Sequence, residues 1–250
     1  MNKLLSIVLI AASASAAVLS VPAYADRIVV FGATGNIGKI VVREALNRGH
    51  EVIGVSRNPD NFTYTENNFT GVAGNPTSVE SVLEVTAGAD AVISAVGGRE
   101  AATAEETAMN QAAVTFTQAY AGMGEAGPQV VVIGGGSTMV GSREELIENL
   151  PPNAPEGSTF RALFVGHWVA YETYLASDIN WTLVAPPFGL TGWRGDAGAD
   201  DRTGKYRTSI EGPVVDDEGK SAITALDLAV AILDFAENGE PNQVKVGLGY

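Results

Sequence analysis

The sequence contains no cysteine among its 250 residues. This excludes disulfide bonds, thiolate nucleophiles and cysteine-ligated zinc. Basic residues are scarce as well, since 15 Lys and Arg stand against 29 Asp and Glu and the formal net charge is −14. Because a surface this acidic repels phosphate backbones, we expect no nucleic-acid partner. An anion-binding site in this chain must depend on local cations and backbone N–H groups.

The common motifs of hydrolases and metalloenzymes are missing too. The chain has no Gly-x-Ser-x-Gly elbow, no His-Glu-x-x-His and no carboxylate–histidine cluster at ligand spacing. Its histidines are His50, which we expect to be structural, and His167. The sequence therefore favours neither a serine hydrolase nor a metal site, and it carries no signal for an oligomeric state.

The first 25 residues have the pattern of a secretory signal. Lys3 precedes an apolar stretch over 4–21, and Ala23-Tyr24-Ala25 is a small-x-small cleavage sequence. We predict cleavage after Ala25 and a secreted or periplasmic domain of residues 26–250, with no stable membrane insertion. The alternatives are an uncleaved anchor or a buried first helix, but an anchor needs about 20 clean apolar residues and serines interrupt this run.

From Asp26 onward, short β-branched runs alternate with amphipathic stretches, which is typical of a parallel sheet covered on both faces. The sequence predicts one α/β domain, a Rossmann-type doubly wound and mostly parallel sheet. Thr103 and Glu106 form a capping-box pattern for one of its helices. The predicted strands are 27–31, 51–56, 69–73, 90–96, 128–133, 181–185 and 243–248, and the predicted helices are 37–48, 76–86, 103–122, 160–176 and 225–237.

Two long segments, 134–158 and 188–220, interrupt this alternation. Both follow strands, and ligands of doubly wound sheets bind beyond the carboxyl ends of strands. We expect these segments to form a small substrate lobe. The alternative is that they are surface loops without a role in binding.

A glycine-rich turn lies between the first strand and the first helix, with Gly32, Gly35 and Gly38 at its corners. Such a turn exposes backbone N–H groups and a helix N-terminus, which together attract a pyrophosphate. We therefore expect a dinucleotide site here. An ordinary glycine-rich turn is the alternative.

The end of the second strand indicates which dinucleotide is bound. An acidic residue there accepts the ribose 2′-hydroxyl of NAD, whereas a cation accommodates the 2′-phosphate of NADP. This chain has Ser56-Arg57, so we predict NADP, with NAD possible. The alternative for Arg57 is a solvated side chain that pairs with Asp60.

The stretch GATGNIGKIVVREALNRGHEVIGVSRNP resembles the opening of NAD(P)H-binding, NmrA-like members of the atypical short-chain dehydrogenase/reductases. The later stretches WTLVAPPFGLTG, RTGKYR and GKSAITALDLAVAILDFAE, with the final Gly249-Tyr250, are similar to the bacterial family of NADH-flavin reductases. The resemblance extends over Arg27 to Tyr250. It implies a Rossmann fold and a nicotinamide cofactor.

The resemblance also implies which residues line the cofactor. The family often has Asp where this chain has Asn75, near the adenine, and asparagine still offers an acceptor. The residues implied to bind pyrophosphate are Gly32, Thr34, Gly35, Asn36, Ile37 and Gly38, and the adenosine phosphate would be bound by Arg57. The cofactor would be lined by Ser94, Ala95, Val96 and Gly97. The nicotinamide would be bordered by Pro186 and Pro187.

The proton-transfer pair of ordinary short-chain dehydrogenases is absent. They use Tyr with Lys four residues later, and no Tyr here has that Lys; the corresponding helix has Phe164 and Trp168. A flavin accepts hydride directly and takes its proton from solvent. We therefore expect an NAD(P)H-dependent reductase with a flavin or quinone-like acceptor. The alternatives are a non-catalytic redox sensor or partner-binding protein, and a pocket adapted to another nucleotide-like ligand.

Two residues are candidates for contact with the reacting groups. Ser137 follows the fifth strand, where these folds place an active-site serine, and His167 titrates in a useful range. The alternatives are a turn serine after Gly134–Gly136 and a half-buried helix histidine beside Trp168.

A basic and aromatic cluster in the second long segment is the candidate substrate site. Arg202, Lys205 and Tyr206 put cations and a ring together, which suits an anionic planar acceptor such as a flavin nucleotide. The alternative is that they pair with Asp196, Asp200 and Asp201.

Overall fold

The computed structural model describes residues 26–97, 101–194 and 201–250. Strands and helices alternate along most of the chain, as the sequence predicts. The strands are β1 (Arg27–Phe31), β2 (Glu51–Ser56), β3 (Phe69–Ala73), β4 (Ala91–Ser94), β5 (Gln129–Ile133), β6 (Trp181–Ala185), β7 (Gly189–Thr191), β8 (Arg207–Ser209), β9 (Ala222–Thr224) and β10 (Val244–Gly249). The helices are α1 (Asn36–Asn47), α2 (Val79–Val85), α3 (Ala108–Ala119), α4 (Arg143–Glu148), α5 (Thr159–Leu175) and α6 (Ala225–Asn238).

The main sheet has eight strands in the order β3-β2-β1-β4-β5-β6-β10-β8. Every neighbouring pair is parallel except the edge pair, in which β8 runs antiparallel to β10. The chain leaves β1 toward β2 and β3 on one side and returns to β4 on the other. This confirms the Rossmann-type prediction, and it opens a crevice at the carboxyl ends of β1 and β4, where the strand order reverses.

Side chains of β1 alternate between two cores, one on each face of the sheet. Ile28 and Val30 pack with residues of α1 and α6, whereas Val29 and Phe31 pack with residues of α3 and α5. All four are fully buried. A strand that is apolar on both faces belongs in the centre of a covered parallel sheet, and this position fixes the turn that follows β1.

The start of α3 differs from the sequence prediction. The helix begins at Ala108, where the side chain of Thr107 accepts a hydrogen bond from the backbone N–H of Asn110. Thr103 accepts from the N–H of Glu106 in a separate turn. Both threonines offer the same local cap, but Thr107 is fully buried and Thr103 is exposed. The capping-box prediction at Thr103 was therefore wrong by one turn.

The two long segments, 134–158 and 188–220, differ in structure. Residues 134–158 contain a 3₁₀ turn, Gly136–Met139, followed by α4. The second segment contributes β7, which pairs with β9, and β8, which closes the sheet at β10. Its later part is therefore a piece of the scaffold. None of the helices within the described ranges has the length and hydropathy of a membrane span.

The turn between β1 and α1 has room only for glycine at two positions. Gly32 has a φ of +76°, and a Cβ atom there would lie 2.6 Å from the carbonyl oxygen of Ala95. At Gly38 a Cβ atom would overlap the carbonyl oxygen of Gly32. The first turn of α1 therefore packs directly against the end of β1, with β4 alongside.

We expect Gly38→Ala to destabilise the domain, because the added Cβ meets backbone atoms that cannot rotate away. Its free energy of unfolding should fall by about 1–3 kcal/mol in urea denaturation. Gly212→Ala is the matched control, since a Cβ atom there has no neighbour within 4 Å and should change stability by less than about 0.5 kcal/mol. Equal stability of the two variants would contradict this account of the turn.

Candidate functional site

A pocket of about 460 Å³ opens at the carboxyl ends of β1, β4, β5 and β6. It lies at the position where ligands bind in doubly wound sheets. Its walls are the start of α1, the segments after β4, β5 and β6, and one face of α5. The lining residues are Gly35, Asn36, Ile37, Ala95, Val96, Gly97, Ile133, Gly134, Gly135, Gly136, Ser137, Leu163, Phe164, His167, Pro186, Pro187, Phe188, Leu190 and Trp193.

The N-terminus of α1 points into this pocket without a side-chain cap. Gly35 is its N-cap residue, no side chain caps it, and no acidic residue lies in its first turn. The first helical hydrogen bond runs from the N–H of Lys39 to the carbonyl of Gly35 over 3.0 Å. The N–H groups of Asn36, Ile37 and Gly38 precede that bond and are directed out of the helix. Together with the helix dipole they suit a diphosphate.

The predicted cofactor residues after β4 and β6 meet at the same pocket. Ala95, Val96 and Gly97 line it from β4, and Pro186 and Pro187 line it from β6. Ser94 is buried inside β4 and is not part of the lining, and Gly32, Thr34 and Gly38 form the turn behind Asn36. The structure thus brings most of this predicted set together.

Three consecutive glycines after β5 allow the other walls to close around the pocket. A Cβ atom on Gly135 would lie 2.6 Å from Cδ2 of His167, and one on Gly136 would lie 2.8 Å from the carbonyl oxygen of Pro186. Gly134 packs closely against Leu183. The sequence shows this run plainly, but its role is visible only in the fold, where α5 and the β6 loop approach the same backbone.

Ser137 lies in the lining and is held on both sides. Its hydroxyl donates to the carbonyl of Phe164 over 3.3 Å, and its own carbonyl accepts from the indole N–H of Trp168 over 2.8 Å. The ammonium of Lys245 donates to the carbonyl of the next residue, Thr138, over 2.6 Å. Ser137 is 1% exposed. It therefore fixes the β5 segment against α5 while remaining at the pocket wall.

His167 lines the pocket as a neutral ring. Its imidazole lies over Gly135, and burial lowers the pKa of His167 to about 4. At neutral pH it can exchange hydrogen bonds but carries no positive charge. His50, by contrast, lies at the amino end of β2, where it accepts from the N–H of Asp26 and pairs with Glu237. That position agrees with the structural role expected of it.

An aromatic wall, formed by Phe160, Phe164 and Phe188, borders the pocket on the α5 side. The rings of Phe164 and Phe188 are nearly parallel, with centroids 5.7 Å apart and an interplanar angle of 14°. Phe160 packs on Phe164 at 4.6 Å. Phe188 is 72% exposed. In the sequence, Phe164 stands out only because it occupies the position of a tyrosine, and no local pattern indicates this wall.

The end of β2 carries two side chains without partners in the described chain. Arg57 is exposed and makes no hydrogen bond or ion pair within residues 26–97, 101–194 and 201–250, so it does not pair with Asp60 there. The hydroxyl of Ser56 is buried and also unpaired. Asn75, at the end of β3, uses its side-chain oxygen to accept from the N–H and the hydroxyl of Thr77. The acceptor expected near the adenine is therefore engaged in its own turn.

The structure does not bring Arg202, Lys205 and Tyr206 to the pocket. Arg202 makes a two-bond ion pair with Glu44 of α1, at 2.7 and 3.0 Å. Tyr206 donates to Asp234 of α6 over 2.6 Å, and Lys205 is exposed. These residues lie on the α1–α6 face of the sheet. Two of the aspartates considered as their partners, 196 and 200, lie outside the described residues.

A buried aspartate explains why RTGKYR and the final tyrosine occur together. Asp227 is fully buried in the first turn of α6. It accepts from the N–H groups of Thr203 and Gly204 at 2.9 and 2.8 Å, and from the hydroxyl of Tyr250 at 2.6 Å. The motif therefore has a structural role, because it joins the second long segment and Tyr250 to α6.

Comparisons with known proteins agree with this geometry. The NAD(P)H-binding family matches residues 32–238 of the chain. YwnB of Bacillus subtilis (strain 168), an uncharacterized protein, is 25% identical over 223 residues, which is 86% of this chain and 93% of YwnB.

Solved structures share the fold over nearly the whole chain. A "putative exported protein" from Burkholderia pseudomallei is 29% identical, with 90% of this chain and 100% of that chain covered and a TM-score of 0.70. A "putative NADH-flavin reductase" from Streptococcus pneumoniae TIGR4 has the same fold at 23% identity, with 90% and 99% covered and a TM-score of 0.70. The chain therefore belongs to the NAD(P)H-binding family, in agreement with the atypical short-chain dehydrogenase/reductases that its sequence resembles.

Proposed function

We propose that the mature chain is an NADPH-dependent reductase with a flavin or quinone-like acceptor. The observation that carries this proposal is a single pocket with a free helix N-terminus on one side and an aromatic wall on the other. When bound there, the reduced nicotinamide supplies a hydride. The backbone amides of Asn36 and Ile37 would hold the diphosphate, and the β6 segment and α5 would border the nicotinamide.

The pocket lacks a proton donor of the kind that carbonyl reduction requires. Among the described lining residues, His167 is neutral because burial lowers its pKa to about 4, and the Ser137 hydroxyl donates a hydrogen bond to the carbonyl of Phe164. Phe164 lies in α5, the helix that corresponds to the one carrying the catalytic tyrosine in ordinary short-chain dehydrogenases. An acceptor that takes its proton from water does not need such a group. Binding and alignment then supply most of the rate effect.

The end of β2 supports NADP rather than NAD. Arg57 is exposed and unpaired within the described chain, and beside it the buried hydroxyl of Ser56 lacks a partner. A 2′-phosphate would give the exposed guanidinium a charge-assisted hydrogen bond, whereas the Ser56 hydroxyl has no surface open to a ligand. The hydroxyls of a plain ribose would leave the guanidinium without an anion. We therefore propose NADP as the preferred cofactor.

The absence of a proton donor among the described lining residues also favours a second candidate, a cofactor-binding redox sensor without turnover. The two functions share the diphosphate site and differ in whether any acceptor is reduced. Oxidation of bound NADPH by an added acceptor therefore separates them.

We also propose that the chain is exported and that its mature form begins at Asp26. The support is the signal-like pattern of residues 1–25 and the name of the Burkholderia pseudomallei neighbour at 29% identity, "putative exported protein". N-terminal sequencing of the exported chain checks this, and a full-length product in the cytoplasm would contradict it.

The reductase proposal predicts that purified protein of residues 26–250 oxidises NADPH when riboflavin or a quinone is added, with loss of absorbance of the reduced nicotinamide. The stoichiometry is one NADPH and one solvent proton per two-electron reduction. Because His167, the one titratable residue in the described lining, has its pKa lowered to about 4, the rate should change little between about pH 6 and 8. Tight NADPH binding without oxidation by any acceptor would leave the sensor as the better description.

Arg57→Glu should weaken NADPH binding by roughly 10- to 100-fold, because it replaces a charge-assisted contact with repulsion. NADH affinity should change by less than about threefold. Lys205→Glu is the matched control: it makes the same charge change on the α1–α6 face and should leave both affinities unaltered. Equal losses for NADPH and NADH in Arg57→Glu would remove the case for phosphate recognition.

A further inference from the structure

The aromatic wall is the most exposed apolar feature beside the pocket. Phe188 is 72% exposed and Phe160 37%, although both rings belong to a face that continues into the lining through Phe164. Exposure of a phenyl ring to water is unfavourable by about 25 cal/mol per Å². A ligand ring that covers Phe188 would recover that free energy and add a stacking contribution.

The position of Phe188 is set by the backbone. It directly follows Pro186 and Pro187, and the carbonyl of Pro186 rests on Gly136. The carbonyl of Pro187 accepts from the N–H of Leu190 over 3.2 Å, which closes a turn around Phe188. The backbone therefore places Phe188 at the edge of the pocket, where its ring lies nearly parallel to that of Phe164.

The described lining contains no charged side chain, since His167 is neutral and the remaining residues are apolar, glycine, Ser137 or Asn36. The cations first considered for the acceptor, Arg202 and Lys205, lie on the α1–α6 face. Arg194 lies 4.7 Å over the ring of Trp193, next to the lining. With a formal net charge of −14 on the chain, a second phosphate-bearing ligand gains little here and meets general repulsion.

We propose that the acceptor subsite takes an uncharged planar ring, such as riboflavin or a quinone, stacked on Phe188 and Phe164, in preference to phosphate-bearing flavins such as FMN. This inference rests on the proposed reductase function and names its substrate class. It also replaces the anionic acceptor that the RTGKYR sequence indicates.

The test is a fluorescence titration of riboflavin and of FMN with the full mature chain, in the presence of NADP⁺. Wild type should bind riboflavin at least about fivefold more tightly than FMN. Phe188→Ala should weaken riboflavin binding by roughly three- to tenfold. Phe188→Trp should retain riboflavin binding, since it preserves a flat ring.

Leu175→Ala is the matched control, because Leu175 is also exposed, at 58%, but lies at the far end of α5. It should bind riboflavin like wild type. Unchanged riboflavin affinity in Phe188→Ala would overturn the stacking site. Tighter binding of FMN than of riboflavin, abolished by Arg194→Ala, would overturn the preference for an uncharged ring.

Failure of this inference and failure of the proposed function give different results. If riboflavin binds in a Phe188-dependent way but NADPH is never oxidised, the ring site stands and the reductase does not. If NADPH is oxidised with the same KM for riboflavin in wild type and Phe188→Ala, the reductase stands and the ring site does not.

Discussion

The close approach of backbone to backbone at the β1–α1 turn is the constraint on which the rest of the site depends. Gly32 lies against the carbonyl of Ala95, and Gly38 lies against Gly32, so the first turn of α1 starts at the end of the sheet with its N–H groups uncapped. A side chain at Gly32 would collide with the backbone after β4, and one at Gly38 would push α1 away from the end of β1. In a chain with 29 acidic residues, these amides attract an anion without requiring a cation in the pocket.

The pocket has a polar side made of backbone N–H groups and an apolar side made of aromatic rings. The start of α1 presents uncapped N–H groups to the pocket, whereas the α5 side is apolar and bordered by Phe164 and Phe188. Arg57 lies outside the lining, and only our proposal assigns it the 2′-phosphate. The glycine run after β5 makes this possible, because His167 and the Pro186 carbonyl both rest on it. The basic RTGKYR segment takes no part in this pocket and holds α1 and α6 together through Glu44, Asp227 and Asp234.

Local patterns predicted the fold well, and contacts between distant residues account for what was missed. The limits of β1, β2, β3 and β6 follow from β-branched runs, and the glycine spacing of the turn at 32–38 is a local pattern. The contact that demands glycine at position 32 is with Ala95, which is distant in the chain. The start of α3 was misplaced because Thr103 and Thr107 offer the same cap and only burial separates them. The partners of Arg202 and Tyr206 are 158 and 28 residues away, and the aromatic wall forms only where α5 meets the β6 loop, so neither was visible in the sequence.

The central claim, that main-chain amides at this turn hold the cofactor diphosphate, is tested most directly by nuclear magnetic resonance. In a titration of ¹⁵N-labelled mature protein with NADP⁺, the amide signals of Asn36, Ile37 and Gly38 should move most, followed by those of Ala95 to Gly97. Signals of Thr203 and Lys205 on the α1–α6 face should stay in place. Saturation by NADP⁺ with the three α1 amides unmoved would contradict the account.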